Sequence, residues 1–264
     1  MQGLAVSNLS LLLALFLVVV AMGISVREKL DLHRDIIYAI LRAIIQLTVV
    51  GYVLKAVFHV ANIFLTLTLT LIIILNASWN AYQRNGRQKR GFIYSFIAIF
   101  SSTTVTIMIL VLSGSIRPVA QQLVPISGMI ASNSMVAIGL AYRAMRTQFK
   151  QQAQQVNEML ALGATGFQAS RAIIRESIKT GMQPTIDSAK TVGLVSLPGM
   201  MSGLIFAGVD PVYAIKYQIM VTFMLMSATS IGSVIAIYLS YRNYFNDRLQ
   251  LVLPEEWWFQ KDVA

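Results

Sequence analysis

Seven apolar stretches, each roughly as long as a bilayer-spanning helix, constrain this chain more than any other feature of its sequence. They lie near residues 8–26, 36–56, 61–79, 92–113, 121–142, 190–209 and 217–240. Hydrophobic residues make up 56% of the 264 residues, and charged residues make up only 12%. We therefore predict an all-α polytopic membrane protein of about seven transmembrane helices, in a single transmembrane domain over residues 1–264.

The positions of the basic residues predict the orientation in the membrane. Of the 21 lysines and arginines, 17 lie in one alternating set of connections or in the C-terminal segment, three lie in the opposite set, and Arg42 lies inside a stretch. Because cytoplasmic connections are the basic ones, we expect the N-terminus outside, a cytoplasmic tail over about residues 241–264, and insertion in the inner or plasma membrane. The net charge of +10 then reflects topology and attraction to the lipid bilayer, and no nucleic-acid partner is expected.

The composition excludes several kinds of catalytic and cofactor site. The chain has no cysteine and only two histidines, which excludes disulfides and Cys-rich or His-rich metal centres. It lacks the G-x-x-x-x-G-K-[ST] pattern of a nucleotide-binding P-loop. A rhomboid-type serine protease is excluded because Met200 stands two positions before Ser202 and no histidine follows His59. We therefore expect no enzymatic activity and no cofactor on this chain.

The connection between the fifth and sixth stretches, about residues 143–190, is much longer than the others. Connections of this length usually have structure and a function. Residues 148–158 are polar and free of helix breakers, so they are predicted to extend the fifth helix into the cytoplasm. Gly163 then supplies a turn at the end of that helix.

An amphipathic helix is predicted to follow this turn. Thr165 and Gln168 have the spacing of a capping box, which starts a helix. Gly181 and Pro184 are predicted to end it. Two interpretations of this helical hairpin are open: it lies on the lipid headgroups, or it docks a cytoplasmic partner.

The stretch NEMLALGATGFQASRAII, residues 157–174, resembles the EAA loop of ABC-transporter permeases, whose coupling helix fits a cleft on the ATP-binding subunit. Gly163 and Ile173 match that pattern at its spacing, whereas residues 157–159 replace Glu-Ala-Ala and residues 175–176 replace Leu-Pro. The resemblance implies that the hairpin couples the membrane helices to an ATPase. The residues that it implies for coupling are Glu158, Leu162, Gly163, Ala164, Thr165 and Phe167.

More of the chain closely resembles the FetB-type family of iron-export ABC transporter permeases. The matching segments are RAIIQLTVVGYVLK (42–55), LNASWNA (75–81), VPISGMIASNSMVAIGL (124–140) and TVGLVSLPGMMSGLIFAGVDPVYAIKYQIMVTFML (191–225). The resemblance implies a permease subunit that exports iron or another metal, together with a separate cytoplasmic ATP-binding subunit that carries ATP and magnesium. It also implies a homodimer, since one such chain would face two ATP-binding subunits.

Other functions stay open at this point. Plant relatives of that family are linked to aluminium tolerance, with a sugar nucleotide as a candidate cargo, so a non-metal cargo is one alternative. An ion-driven secondary transporter or a channel is another, and a purely structural membrane subunit is a third. The long basic connection favours the ATP-driven interpretation, because secondary transporters usually show coupling carboxylates or internal repeats.

Polar side chains inside the apolar stretches are candidates for a cargo pathway, because such residues are costly in a bilayer, and two methionines join them because thioethers can bind soft metals. The candidates are Arg42, Gln46, Asn76, Asn80, Asn133, Met200, Met201 and Ser202. Each group also has a structural interpretation. Arg42 can reach the cytoplasmic headgroups or Asp35, the amides can bond between helices, and the methionines can fill the core.

The residues alone do not indicate iron as the cargo. Methionine thioethers are ligands for soft metals, whereas iron favours carboxylate and imidazole groups. None of the 11 acidic residues lies in the middle of a predicted span, and the nearest are Asp187 and Asp210 at the ends of the sixth. The metal ligands therefore stay unassigned.

The sixth stretch contains the sequence SLPGMMSG over residues 196–203. Gly199 and Gly203 form a GxxxG pattern, which predicts close packing against another helix. Pro198 removes a backbone donor and predicts a kink. We expect this stretch to be a kinked packing helix directly after the cytoplasmic connection.

Overall fold

The computed structural model describes residues 8–60, 62–84 and 90–253, most of which are helical. The helices are α1 Asn8–Arg27, α2 His33–Val60, α3 Ile63–Arg84, α4 Gly91–Leu112, α5 Ala120–Gln151, α6 Ala153–Ala161, α7 Gly166–Thr191, α8 Gly199–Phe206 and α9 Pro211–Ser240. Within the described residues, six helices are long and apolar enough to cross a membrane, namely α1 to α5 and α9. Arg87, Lys89 and Lys261, which count towards the predicted orientation, lie outside the described residues, as does the tail beyond residue 253.

Contacts at its two ends show that α5 runs in the same direction as α9. Phe149, near the end of α5, stacks on Tyr244 just after α9, with ring centroids 4.1 Å apart. Leu123, near the start of α5, shares a buried cluster with Val221 of α9. We call the first of these ends the basic end, because it carries Arg84, Arg143, Arg146 and Arg242. The chain between α5 and α9 therefore returns from the basic end to the opposite end.

Small and hydroxyl side chains allow the central helices to pack closely. α4 runs antiparallel to α5: the Ser95 hydroxyl lies 3.4 Å from the Tyr142 hydroxyl, and the Ser102 hydroxyl lies 3.4 Å from the Ser134 hydroxyl. Membrane helices associate through such small residues, because lipid tails are as apolar as the helices and provide little hydrophobic driving force. Together with α3, α7 and α9, these two helices form the core of the bundle.

α1 and α2 lie at the periphery of the bundle. Val57 is the one buried residue among the described side chains of α2, and most apolar side chains of both helices are exposed. The Gln121 amide lies 3.5 Å from the carbonyl oxygen of Phe58, which places the end of α2 beside the start of α5. Such an apolar exterior suits lipid contact.

The prediction of a continuous sixth helix over residues 190–209 is wrong. α7 ends at Thr191, and the next helix, α8, has only eight residues. Between them, the chain makes a tight turn in which Gly193 has φ +85° and its N–H donates to the carbonyl of Ser196 at 2.9 Å. Pro198 caps the start of α8, so it produces no kink within a helix. Proline suits the start of a helix, where its missing donor is not needed.

The prediction that Gly181 and Pro184 end the amphipathic helix is also wrong, because α7 continues to Thr191. A Cβ on Gly181 would lie 2.7 Å from the carbonyl oxygen of Ala137 and 2.8 Å from the Cβ of Ala141. The glycine therefore permits close packing of α7 on α5, and this tertiary contact outweighs its low helix propensity. The predicted extension of the fifth helix is interrupted once, at Gln152, between α5 and α6.

Candidate coupling surface

The turn between α6 and α7 has the geometry that its sequence predicts. The N–H of Gly163 donates to the carbonyl of Leu160 at 3.0 Å, and that of Ala164 donates to the carbonyl of Met159 at 3.0 Å. Gly163 has φ +89°, a conformation that glycine adopts without steric cost. The helix therefore ends by a glycine C-cap, as the sequence indicated.

The predicted capping box is confirmed. The Thr165 hydroxyl accepts a hydrogen bond from the Gln168 N–H at 3.3 Å, and the Gln168 side-chain oxygen accepts one from the Thr165 N–H at 2.8 Å. These two bonds satisfy donors that a helix start leaves unpaired. The start of α7 is thus fixed relative to the turn.

Leu162 stands at the tip of this turn and is 89% exposed. Its neighbours Ala161 and Gly163 are exposed as well, and Ala164 is half-buried. An apolar tip that contacts so little of its own chain is available to a partner. Glu158 is exposed one helical turn earlier, where its carboxylate accepts from the Gln154 amide at 2.9 Å.

The first turn of α7 is anchored to the end of α9. The Phe167 ring lies 6.1 Å from the Tyr238 ring and 6.0 Å from the Tyr241 ring, measured between centroids. Gly166 is buried beneath Phe245, since a Cβ on it would lie 3.3 Å from that ring. The start of α7 is therefore in direct contact with the end of α9.

The segment after α9 completes this surface, and the sequence interpretation missed its role. A 3-10 turn over Tyr241–Tyr244 leads into a loop held by Asn246, whose side-chain oxygen accepts from the N–H groups of Arg248 and Gln250 at 3.0 Å and 2.8 Å. Tyr244 is fully buried. The aromatic cluster YRNYF was the available signal that residues 241–245 fold back onto the protein.

A groove of about 450 Å³ lies between the turn and this C-terminal segment. It is lined by Asn157, Leu160, Gly163, Ala164, Arg248, Leu249 and Gln250. We call the groove, the tip at Leu162 and the exposed residues Glu158 and Thr165 the coupling surface. The exposed basic side chains of Arg171, Arg175 and Lys179 extend along α7 beside it.

The structure spreads the predicted pathway residues over four helices. Arg42 and Gln46 are exposed on α2, and the Asn80 amide donates to Asn76 within α3, at 2.9 Å to its carbonyl and 3.0 Å to its side-chain oxygen. The Asn133 amide likewise donates to the Met129 carbonyl within α5 at 2.8 Å. These three amides thus bond within their own helices.

The predicted pathway residues on α8 have different surroundings. Met201 is buried, and Met200 packs against the apolar cluster at the opposite end of the bundle. The Ser202 hydroxyl lies 3.5 Å from the carbonyl oxygen of Leu197. No atom lies within 4 Å of a Cβ on Gly199 or Gly203, so the GxxxG face meets no helix of this chain among the described residues.

The described residues contain no group of three or more His, Asp or Glu side chains that could hold a metal ion.

Comparison with known proteins adds independent information. Residues 8–245 match the model of the Uncharacterised protein family (UPF0014). The chain is 56% identical over 250 residues to Escherichia coli "Probable iron export permease protein FetB", covering 95% of this chain and 96% of that protein. It is 34% identical to Arabidopsis thaliana "Protein ALUMINUM SENSITIVE 3", covering 90% and 87%, and 35% identical to rice "UPF0014 membrane protein STAR2", covering 89% and 82%. No solved structure matches the chain significantly.

Proposed function

The chain belongs to the UPF0014 family of membrane proteins, and on that basis we propose that it is the permease subunit of an ABC transporter that exports iron or another metal. ATP hydrolysis then takes place on a separate cytoplasmic ATP-binding subunit, which carries ATP and magnesium. The chain itself is a transport subunit and not an enzyme. Two copies face two ATP-binding subunits, in a cell membrane with the N-terminus outside and the C-terminus in the cytoplasm.

The structural observation that best supports this proposal is the exposed apolar tip at Leu162, on a rigid turn at the basic end of the bundle. The C-cap at Gly163 and the capping box at Thr165 fix the shape of the turn, while Leu162 buries almost nothing within its own chain. A rigid, exposed apolar knob fits a cleft in a protein partner better than it fits the polar headgroup layer.

Coupling follows from how the turn is attached. α6 continues from α5, and α7 begins against Tyr238 and Tyr241 at the end of α9. Movement of Leu162 by a closing ATP-binding subunit therefore tilts α5 and α9 together. Such a tilt changes which side of the membrane has access to the cargo.

Iron is the first candidate cargo, because the relative in Escherichia coli is named for iron export. A sugar nucleotide or another non-metal compound is the second candidate. It is favoured by the absence of a cluster of acidic or histidine ligands among the described residues. A different function, that of an ion-driven transporter or channel, is the other alternative. Such a protein works without an ATP-binding subunit, so its coupling surface would have no partner.

The test is to purify the chain with its ATP-binding subunit, reconstitute the complex in liposomes, and measure ATP hydrolysis with ferrous iron, other metals and sugar nucleotides. We expect ferrous iron to stimulate hydrolysis and to move across the bilayer in an ATP-dependent manner. Hydrolysis that responds only to sugar nucleotides would exclude metal export. Transport without an ATP-binding subunit would exclude the ABC assignment.

A matched pair of variants tests the coupling surface. Leu162→Glu places a charge at the exposed tip, and Leu30→Glu places one at another exposed leucine of the basic end, outside the coupling surface. We expect Leu162→Glu to reduce recovery of the ATP-binding subunit on co-purification by about tenfold, the equivalent of about 1.4 kcal/mol, while Leu30→Glu retains it. Equal recovery with both variants would remove Leu162 from the interface.

A further inference from the structure

The second half of α7 lies at the same depth as the apolar parts of its neighbours. A Cβ on Gly181 would lie 2.7 Å from the carbonyl oxygen of Ala137 in α5 and 3.3 Å from the hydroxyl of Ser233 in α9. Both neighbours belong to helices apolar enough to cross a membrane. α7 continues from Gly181 to Thr191, away from the basic end, which at 1.5 Å per residue is roughly 15 Å. Because a hydrocarbon layer is about 30 Å thick and Gly181 already packs on these helices, the segment from Gly181 to Thr191 lies within that layer.

The outer face of this half-helix carries a hydrogen-bonded row of polar side chains, Gln183, Asp187 and Lys190, which we call the polar ladder. The Gln183 amide donates to the two carboxylate oxygens of Asp187 at 2.9 Å and 3.1 Å, and the Lys190 ammonium lies 3.6 Å from one of them. The Lys190 and Asp187 side chains are 67% and 55% exposed. The inner face still packs on the bundle through half-buried Met182, Thr185, Ile186 and Ala189.

Lipid tails cannot cover the polar ladder. Charged side chains at mid-membrane depth face protein or a water-filled cavity, because lipid provides no partner for them. The outward face of α4 at this depth is instead apolar, with exposed Phe100 and Met108 on either side of Thr104. No described element of this chain covers the ladder.

The backbone next to the polar ladder is discontinuous. α7 ends at Thr191, one residue beyond Lys190, and α8 begins at Gly199. The last carbonyls of one helix and the first N–H groups of the next lack helical partners. Irregular backbone at membrane depth is tolerated where it is buried in protein or lines a water-filled cavity. The side chains and the backbone therefore both require water or protein on this face.

We propose that α7 beyond Gly181, residues 192–198 and α8 form one discontinuous membrane crossing, whose polar ladder lines a water-filled cavity closed by a second copy of the chain. The geometry requires a crossing here, because α5 and α9 run in the same direction. Beyond Gly181, the outer face of α7 carries one acidic and one basic side chain, Asp187 and Lys190, which lie 3.6 Å apart. A second copy of this face therefore adds no net charge. The inference deepens the proposed function, in which this cavity is the cargo route.

Thiol labelling tests whether the cavity holds water. The chain has no cysteine, so single-cysteine variants report one position each. Ser188→Cys places a thiol on the exposed side of α7 beside Asp187, and Thr104→Cys places one on an exposed apolar face of α4 at similar depth. Because the thiolate is the reactive form, a charged maleimide labels only a hydrated thiol. In permeabilised membranes, we expect Ser188→Cys to be labelled at least about tenfold faster than Thr104→Cys.

Two further variants show whether the labelling rate of Ser188→Cys is typical of the exposed side of α7 or an effect of that one substitution. Gln183→Cys and Thr191→Cys lie on the same exposed side of α7, and we expect both to be labelled like Ser188→Cys. Labelling of all three as slow as that of Thr104→Cys would overturn the water-filled cavity. N-ethylmaleimide, which enters lipid, shows that each thiol is intact.

Cross-linking tests the second copy. A bifunctional thiol reagent of about 10 Å reach should convert Ser188→Cys in native membranes to a covalent dimer and leave Thr104→Cys monomeric. A hydrated Ser188→Cys that yields no dimer would overturn closure by a second copy. Both measurements need neither ATP nor cargo, so a failure here is distinguishable from a failure of the transport experiment.

Discussion

Two glycines of this chain have nearly the same conformation and differ in where they lie. Gly163 has φ +89° in the α6–α7 turn, and Gly208 has φ +88° just after α8. No atom lies within 4 Å of a Cβ on either residue. A side chain therefore meets no clash at either place but strains the backbone by about 1–2 kcal/mol.

Gly163→Val and Gly208→Val are expected to lower stability by similar amounts, about 1–2 kcal/mol, because both force a left-handed residue to carry a side chain. Only Gly163→Val should uncouple ATP hydrolysis from transport, because only Gly163 sets the position of Leu162. Thermal unfolding in detergent and the ratio of ATP hydrolysed to cargo moved measure the two effects. Normal coupling in Gly163→Val would remove the turn from the mechanism.

The role of Asp187 depends on how deep it lies in the helix bundle. At the sequence level it lies outside the middle of every predicted span, whereas the structure places it roughly 9 Å beyond Gly181 along α7. Exposure of Asp187 and Lys190 to lipid would cost about 3 kcal/mol each. A surface salt bridge recovers only about 1 kcal/mol of this. Because the salt bridge recovers less free energy than exposure to lipid would cost, we expect water or protein, not lipid, around the polar ladder.

At the scale of elements, α7 has two halves with different surroundings. Its first half presents basic residues beside the coupling surface, and its second half packs on α5 through Gly181. The contact at Gly181 sets the depth of the polar ladder.

Gly181→Ala should therefore destabilise the protein by about 1–3 kcal/mol, since its Cβ overlaps the Ala137 carbonyl and the backbone must shift. Gly128→Ala is the matched control within α5, where a Cβ meets nothing within 4 Å. That substitution should instead stabilise its helix by up to about 1 kcal/mol. Thermal unfolding of both variants in the same detergent gives the comparison, and equal stabilities would argue against close packing of α7 on α5.

The C-terminal segment is held by the stack between Phe149 and Tyr244. Phe149→Ala removes a fully buried ring and should cost about 3–5 kcal/mol, freeing the segment around Arg248. Phe223→Ala, at a 71% exposed ring, should change little. Trypsin cleavage after Arg248 reports the release. Cleavage of Phe149→Ala no faster than that of Phe223→Ala would show that other contacts hold the segment.

At the scale of the whole molecule, the number of crossings decides where the two termini lie. Six long apolar helices alone would place both termini on one side, whereas a seventh crossing through α7 and α8 places them on opposite sides. The shared direction of α5 and α9 is the observation from which we propose the seventh crossing. From the distribution of the basic residues, we expect the C-terminus in the cytoplasm.

Epitopes at the two ends test this topology in membrane vesicles. We expect protease to remove an N-terminal epitope only from right-side-out vesicles and a C-terminal epitope only from inside-out vesicles. Removal of both from the same vesicles would give an even number of crossings and would contradict the discontinuous crossing. A fusion to the peripheral α1 alone, tested the same way, controls for vesicle orientation.

The sequence by itself determined the long apolar helices, the turn at Gly163 and the capping box at Thr165, because hydrophobic length and cap chemistry act over a few residues. The sequence also contains the segments that resemble the FetB-type family. Only the tertiary structure decided that residues 190–209 are not one helix, that residues 241–252 fold against the turn, and that Asp187 lies on a part of α7 that continues beyond the contact of Gly181 with α5. Depth and direction are set by packing between distant helices, as at Gly181 on α5, and local composition does not contain that information.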